Sequence, residues 1–306
     1  MQKYIPLAKT VLLKNLNVKA AEQVLIVTDS DLANIAQIFC YAGRELGNET
    51  MLVEMAPRSK SGEEPPEAVS EAMKSSEVVL CITKHSLTHT QARKSASSAG
   101  ARVATMPGIT LDMLEEGAIT ADYTEVEKLT KKYCQVLEQG EHVEIVKENL
   151  SLSFSIKGRS SIPSVGVFRN KGESGNLPSG ESYIAPLEDS ANGRIVIDGA
   201  ISGIGVLDEP VELTVEKGRL IAATGENGKR LLELLGEGKG RTIAEFGIGT
   251  NNKARLTGNV LEDEKVFGTI HIAFGSNKPF GGITEAGVHI DCVVKSPTVY
   301  IDQKRV

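Results

Sequence analysis

The residues best suited to chemistry lie near the end of the chain. Two of its five histidines sit in short apolar runs, Thr269-Ile270-His271-Ile272-Ala273-Phe274-Gly275 and Val288-His289-Ile290-Asp291-Cys292-Val293-Val294. Along an extended strand, residues i and i+2 share a face, so His289 and Asp291 project together while Val288, Ile290 and Cys292 face the other way. One backbone thereby presets two ligands. An imidazole from a paired His271 strand would complete a set of two His and one carboxylate with open coordination positions, which suits a divalent transition metal that must also take water or substrate. Two acidic residues stand in similarly apolar surroundings. Glu245 interrupts Ile243-Ala244-Glu245-Phe246-Gly247-Ile248-Gly249, and Glu181 follows a Pro-Ser-Gly turn and precedes Ser182-Tyr183-Ile184-Ala185-Pro186. A carboxylate there is costly unless hydrogen bonds or a cation compensate it, and a metal is one such cation. The plainer reading, with His271 and His289 as core or edge histidines and Asp291 as a hydrogen-bonded turn residue, is not removed by an isolated H-x-D.

The elements that must position these residues fall into two patterns. Residues 1 to about 140 alternate apolar runs (23–28, 50–55, 78–83 and 103–106) with helical stripes such as Leu32, Ile35, Phe39, Ala42 and Leu46. Strand and helix in alternation predict a doubly wound α/β layer, and the uninterrupted apolar runs predict a buried parallel sheet. Tyr123, Val126, Leu129, Tyr133 and Val136 keep helical spacing, so a long amphipathic helix closes this half before Gly140. Beyond it the period changes to two: Leu150, Leu152, Phe154 and Ile156 alternate with polar residues, as do Val211, Leu213 and Val215. The expected fold is therefore α/β plus α+β. A Rossmann-like domain spans 1–142 and a β-rich catalytic, metal-binding domain spans 143–306.

Composition narrows the class. A length of 306 residues accommodates two ordinary cores, and a net charge of −6 with scattered basic residues offers no attraction to nucleic acid or an anionic membrane. No stretch reaches the length of a membrane span, and Met1–Pro6 lacks an apolar signal run, so a cytoplasmic protein is expected. The four cysteines are far apart and form no C-x-x-C pair, as expected of buried thiols in a reducing compartment. The first half has no G-x-G-x-x-G after a predicted strand, so no dinucleotide is implied, and its expected role is to shape a substrate cavity. His85 and His89, at i and i+4, would share a metal on a helix, but they have no accompanying carboxylate and read better as solvated residues at a helix start. Phe280-Gly281-Gly282-Ile283-Thr284-Glu285-Ala286-Gly287 lacks phosphate-loop spacing and reads as a flexible connection beside the site.

The segments Gly175-Asn176-Leu177-Pro178-Ser179-Gly180-Glu181, Ala244-Glu245-Phe246-Gly247, His271-Ile272-Ala273-Phe274-Gly275 and His289-Ile290-Asp291 resemble, in order, the metal stations of the aminopeptidase T type of metalloaminopeptidases. The resemblance implies two divalent ions (Zn, Co or Mn) held by Glu181, Glu245, His271, His289 and Asp291, in a homodimer acting on short peptides. Such a centre would use metal-activated water as nucleophile, with an unliganded oxygen of Glu181 or Glu245 as base. Lys278 stands where those peptidases carry a tyrosine, and is the candidate oxyanion stabiliser. The chain also resembles the related 2,5-dihydroxypyridine 5,6-dioxygenases, in which two His and one Asp hold a single Fe(II) for ring opening of a small molecule. The hydrolase is the leading expectation and the dioxygenase its alternative.

Overall fold

A computed structural model describes residues 1–306 as two compact units. The first comprises Met1–Thr124 and Gly166–Ser179, the second Glu125–Val165 and Gly180–Val306. No helix is long and apolar enough to cross a membrane.

In the first unit, the apolar runs form a five-stranded parallel sheet in the order Thr50–Met55, Val24–Asp29, Val78–Ile82, Arg102–Thr105, Ser174–Asn176. Val24–Asp29 and Val78–Ile82 are buried at every position, as strands covered on both faces must be. Helices Ala33–Glu45, Glu67–Lys74 and Gln91–Ser98 make the crossovers. The last is capped by Thr90, whose Oγ1 accepts from the Arg93 N–H at 3.2 Å. Residues 84–90 are turns and bends ahead of that helix, so His85 and His89 do not share a helical face.

The second unit stacks two seven-stranded antiparallel sheets. One runs Arg219–Ala223, Val211–Glu216, Asn192–Ile197, Leu150–Ser155, His142–Lys147, Thr298–Ile301, Lys304–Arg305. The other runs Gly205–Val206, Ala200–Ile201, His289–Lys295, Thr269–Gly275, Ile243–Gly249, Glu181–Ile184, Ile162–Ser164. Their inner faces share one core in which Phe154, Ile195 and Leu213 meet Phe246, Ile272 and Cys292. The Phe154 and Phe246 rings pack edge to face, 5.4 Å between centroids.

A single boundary after residue 142 does not describe this division. The helix Tyr123–Gln139 belongs to the second unit from residue 125 onward, because Leu137, flanked by Tyr133 and Val136, is buried in the two-sheet core. Residues 166–179 return to the first unit, where Ser174–Asn176 extends the parallel sheet beside Arg102–Thr105.

Candidate metal centre

Four adjacent strands of the second sheet build the centre on the face turned away from the core. Their register aligns Tyr183, Gly247, His271 and Val293 in one row, Glu245, Ala273 and Asp291 in the next, and Gly275 with His289 beyond. Glu181 lies opposite Gly249. The floor between the functional side chains is thus glycine or alanine, and the imidazole of His271 packs onto the bare backbone at Gly247. The alternate positions Phe246, Ile272, Phe274 and Cys292 fill the core.

Glu245 reaches this face because of a β-bulge. Ile243 pairs with Phe274 and Glu245 with Ala273, so Ala244 is an extra residue on its strand. In a regular strand Ile243 and Glu245 would share a face. The extra residue lets Ile243 enter the core while Glu245 turns toward the histidines.

The polar atoms converge. His271 Nε2 is 3.1 Å from Glu245 Oε1 and 3.6 Å from Glu181 Oε2, and His289 Nε2 is 3.5 Å from Glu245 Oε2 and 3.3 Å from Asp291 Oδ1. Donor atoms bound to a single ion at 2.0–2.2 Å stand roughly 3 to 3.5 Å apart, so these spacings suit coordination. The Ser202 hydroxyl donates to Asp291 Oδ2 at 3.2 Å, and His289 Nδ1 lies 2.8 Å from the Ser276 carbonyl, which orients Nε2 toward the carboxylates. His271 is fully buried, and Glu181, Glu245 and Asp291 nearly so. Glu181 Oε2 and Asp291 Oδ1 are buried without a hydrogen-bond partner, a costly state that a cation relieves. Imidazole nitrogens with carboxylate oxygens are donors for iron, zinc or manganese, and the residues present fit a divalent metal.

All five ligand candidates from the sequence meet here. Two residues from the connection between the Ile243–Gly249 and Thr269–Gly275 strands join them without having been anticipated. Glu264 comes within 4.8 Å of Glu181 and His271, donor atom to donor atom, as Glu245, His289 and Asp291 do among themselves. Lys265, with no exposed surface, places Nζ 3.2 Å from Glu181 Oε1 and pairs with Glu264 Oε1. Gly249 permits the connection to pass this close, since a Cβ there would lie 2.1 Å from the Val266 carbonyl oxygen. Lys278, in contrast, is exposed and pairs with Glu285 at 3.0 Å. That leaves it outside the cluster as the structure stands.

The charges of these side chains follow from this crowding. Burial opposes the charged form of both histidines, yet the carboxylates prevail: Glu245, Glu181 and Glu264 raise His271 to about 9, and Asp291 and Glu245 raise His289 to about 10. Burial and the like charge of Glu264 push Glu181 up to about 7 against the pull of Lys265 and His271. Asp291 is held well below the usual carboxylate range, because His289, His271 and Lys265 outweigh its burial. Lys265 is raised by Glu181 and Glu264 in spite of its own burial. Burial, and then Glu245, Glu181 and Glu264, raise Tyr183 well above the ordinary tyrosine value, so its hydroxyl keeps its proton.

An aromatic wall flanks the centre. Tyr183 and Phe280 meet edge to face at 5.7 Å, and Phe280 meets His289 in the same way at 5.7 Å. Phe280 lies in the glycine-rich segment, which is pinned rather than free. The buried Asn277 receives the Thr284 N–H at 2.8 Å and donates to Glu188 at 2.9 Å, and a Cβ at residue 282 would fall 1.9 Å from its amide carbon.

Two antiparallel sheets presenting a histidine–carboxylate centre, in a chain that also carries a parallel α/β unit, define a metalloenzyme-like class, and the comparisons specify it. The chain belongs to the 2,5-dihydroxypyridine 5,6-dioxygenase (NicX) family, whose model matches residues 4–306. Among solved structures it is similar to the 2,5-dihydroxypyridine dioxygenase from Pseudomonas putida KT2440, at a TM-score of 0.80 and 17% identity, covering 100% of this chain and 95% of that one. It is also similar to wild-type AmpT from Thermus thermophilus, at a TM-score of 0.71 and 15% identity, covering 100% and 97%. These likenesses are of fold. No curated protein matches the sequence. The family match favours the dioxygenase over the hydrolase, reversing the order in which the sequence ranked them.

Proposed function

We propose that this protein is a mononuclear Fe(II) dioxygenase that opens 2,5-dihydroxypyridine, or a closely related dihydroxylated N-heterocycle, between ring carbons 5 and 6. The observation that carries the reading is the family match across residues 4–306. Two observations on the centre support it. His271, His289 and Asp291 are the two-His, one-carboxylate set that leaves coordination positions for two reactants. Tyr183 and Phe280 supply flat apolar surface beside His289, suited to a planar ring.

In this reading His271 and His289 bind through Nε2 and Asp291 through Oδ1. When bound, Fe(II) supplies the redox centre at which dioxygen and the ionised ring react, with both oxygen atoms entering the product. Glu245, placed with one oxygen near each imidazole, accepts the proton of a ring hydroxyl as substrate enters. Tyr183 donates a hydrogen bond to an oxygen of the ring, and Phe280 holds the ring plane and excludes water. Ser202 steadies Asp291.

The test uses full-length protein loaded anaerobically with Fe(II) and, separately, with Co(II). In an oxygen electrode the Fe(II) form should consume about one dioxygen per 2,5-dihydroxypyridine, and the Co(II) form should leave aminoacyl anilides intact. Anilide cleavage by the Co(II) form without oxygen uptake by the Fe(II) form would reverse the reading.

A further inference from the structure

The donors around His271 and His289 form two groups, each of metal-site dimensions: Glu181, Glu264 and His271 in one, Glu245, His289 and Asp291 in the other. The first already contains a cation, and the metal of the reading above is assigned to His289 and Asp291 of the second group together with His271, whose Nε2 faces both Glu181 and Glu245. We propose that the Lys265 ammonium takes the place of a second divalent ion and holds the centre at one metal per chain, an inference that rests on the metal-centre reading above. Its Nζ is shared between Glu181, at 3.2 Å, and Glu264. An ion bound to those oxygens at about 2.1 Å would sit against the ammonium in a water-excluded site, where like charges repel strongly.

The lysine is built in. Its N–H donates to the Glu262 carbonyl at 3.0 Å and its carbonyl receives the Asn251 N–H at 2.9 Å, so both sides of its backbone are tied as Asn251 bridges to Val266. Its side chain is fully buried, and withdrawing it would take the ammonium away from the buried Glu181 and the half-buried Glu264. The second group has no such competitor: the oxygens of Glu245 and Asp291 face His271, His289 and the Ser202 hydroxyl. Glu181 is then the partner of Lys265 rather than a metal ligand or the base. The carboxylate-rich surroundings that suggest a dinuclear hydrolase from the sequence carry one metal and one ammonium.

The experiment counts ions. Metal-free full-length protein, Lys265→Met and Lys265→Arg are each equilibrated with excess Mn(II), freed of unbound ion by gel filtration, and examined by elemental analysis and electron paramagnetic resonance. The parent and Lys265→Arg should hold one ion per chain with the spectrum of isolated Mn(II). Lys265→Met should hold two, with a spin-coupled spectrum. Two ions in the parent or in Lys265→Arg would overturn the proposal, whether or not Lys265→Met folds. So would a Lys265→Met protein that melts like the parent and still holds one. Oxygen uptake by the Fe(II) form judges the reaction separately: a parent that holds one ion but never opens the ring defeats the dioxygenase reading and leaves the role of Lys265 standing.

Discussion

Gly247 lies directly beneath the imidazole of His271, so that a Cβ at residue 247 would fall 2.0 Å from Cε1 and 2.1 Å from Nε2. His271 Nδ1 has no hydrogen-bond partner, and the ring is therefore positioned by packing on a bare backbone rather than by a second polar contact. Gly247→Ala should displace Nε2 and lower Fe(II) or Co(II) affinity by about 10- to 100-fold, the range for losing the support of a metal-bound histidine. Calorimetric titration alongside a thermal melt checks this. A folded Gly247→Ala protein with parental affinity would show that His271 does not bind the metal through Nε2.

Metal binding should expel protons. His271 and His289 titrate at about 9 and about 10 in the metal-free protein, so both carry a proton at pH 7 that must leave before either nitrogen binds. Asp291, held low, is already ionised and contributes none. The sign is fixed: affinity rises with pH and levels off once pH passes both histidine values. About two protons per ion should appear when binding heats are compared in buffers of different ionisation enthalpy at pH 7, and affinity should climb by about 100-fold per pH unit there. Binding that is independent of pH between 6 and 8 would contradict the ligand assignment.

Phe280 should matter to the substrate and not to the metal. Phe280→Ala removes the ring that links Tyr183 to His289, and should raise KM for 2,5-dihydroxypyridine by about tenfold while leaving metal affinity unchanged. Steady-state kinetics with saturating Fe(II) provide the measurement. A lower kcat at constant KM would place the ring-binding surface elsewhere.

Which parts of the centre the sequence exposes follows from local periodicity. His289 and Asp291 are legible because strand alternation puts them on one face, and Glu181 and Glu245 because a carboxylate in an apolar run demands a partner. Glu264 and Lys265 are not legible: they end the run Leu261-Glu262-Asp263-Glu264-Lys265, which reads as a solvated surface stretch and is buried only because its connection folds against Gly249. The bulge at Ala244 is also silent, since the run around it stays apolar on either register. In the first unit the long apolar runs declare four parallel strands, whereas the fifth, Ser174-Gly175-Asn176, has no apolar side chain and owes its place to pairing with Arg102–Thr105. The resemblance to the family stations points to the same candidate ligands, His271, His289 and Asp291, for both the hydrolase and the dioxygenase, so it does not separate the two reactions.

The central claim is tested most directly by following oxygen. Full-length protein loaded anaerobically with Fe(II) is mixed with 2,5-dihydroxypyridine under 18O2, and the ring-opened product is analysed by mass spectrometry, with His289→Ala as the control. Both atoms of labelled dioxygen should appear in the product of the parent, and none should form with His289→Ala, which loses a ligand outright. A product whose new oxygen comes from water, or ring opening that survives His289→Ala, would contradict the account.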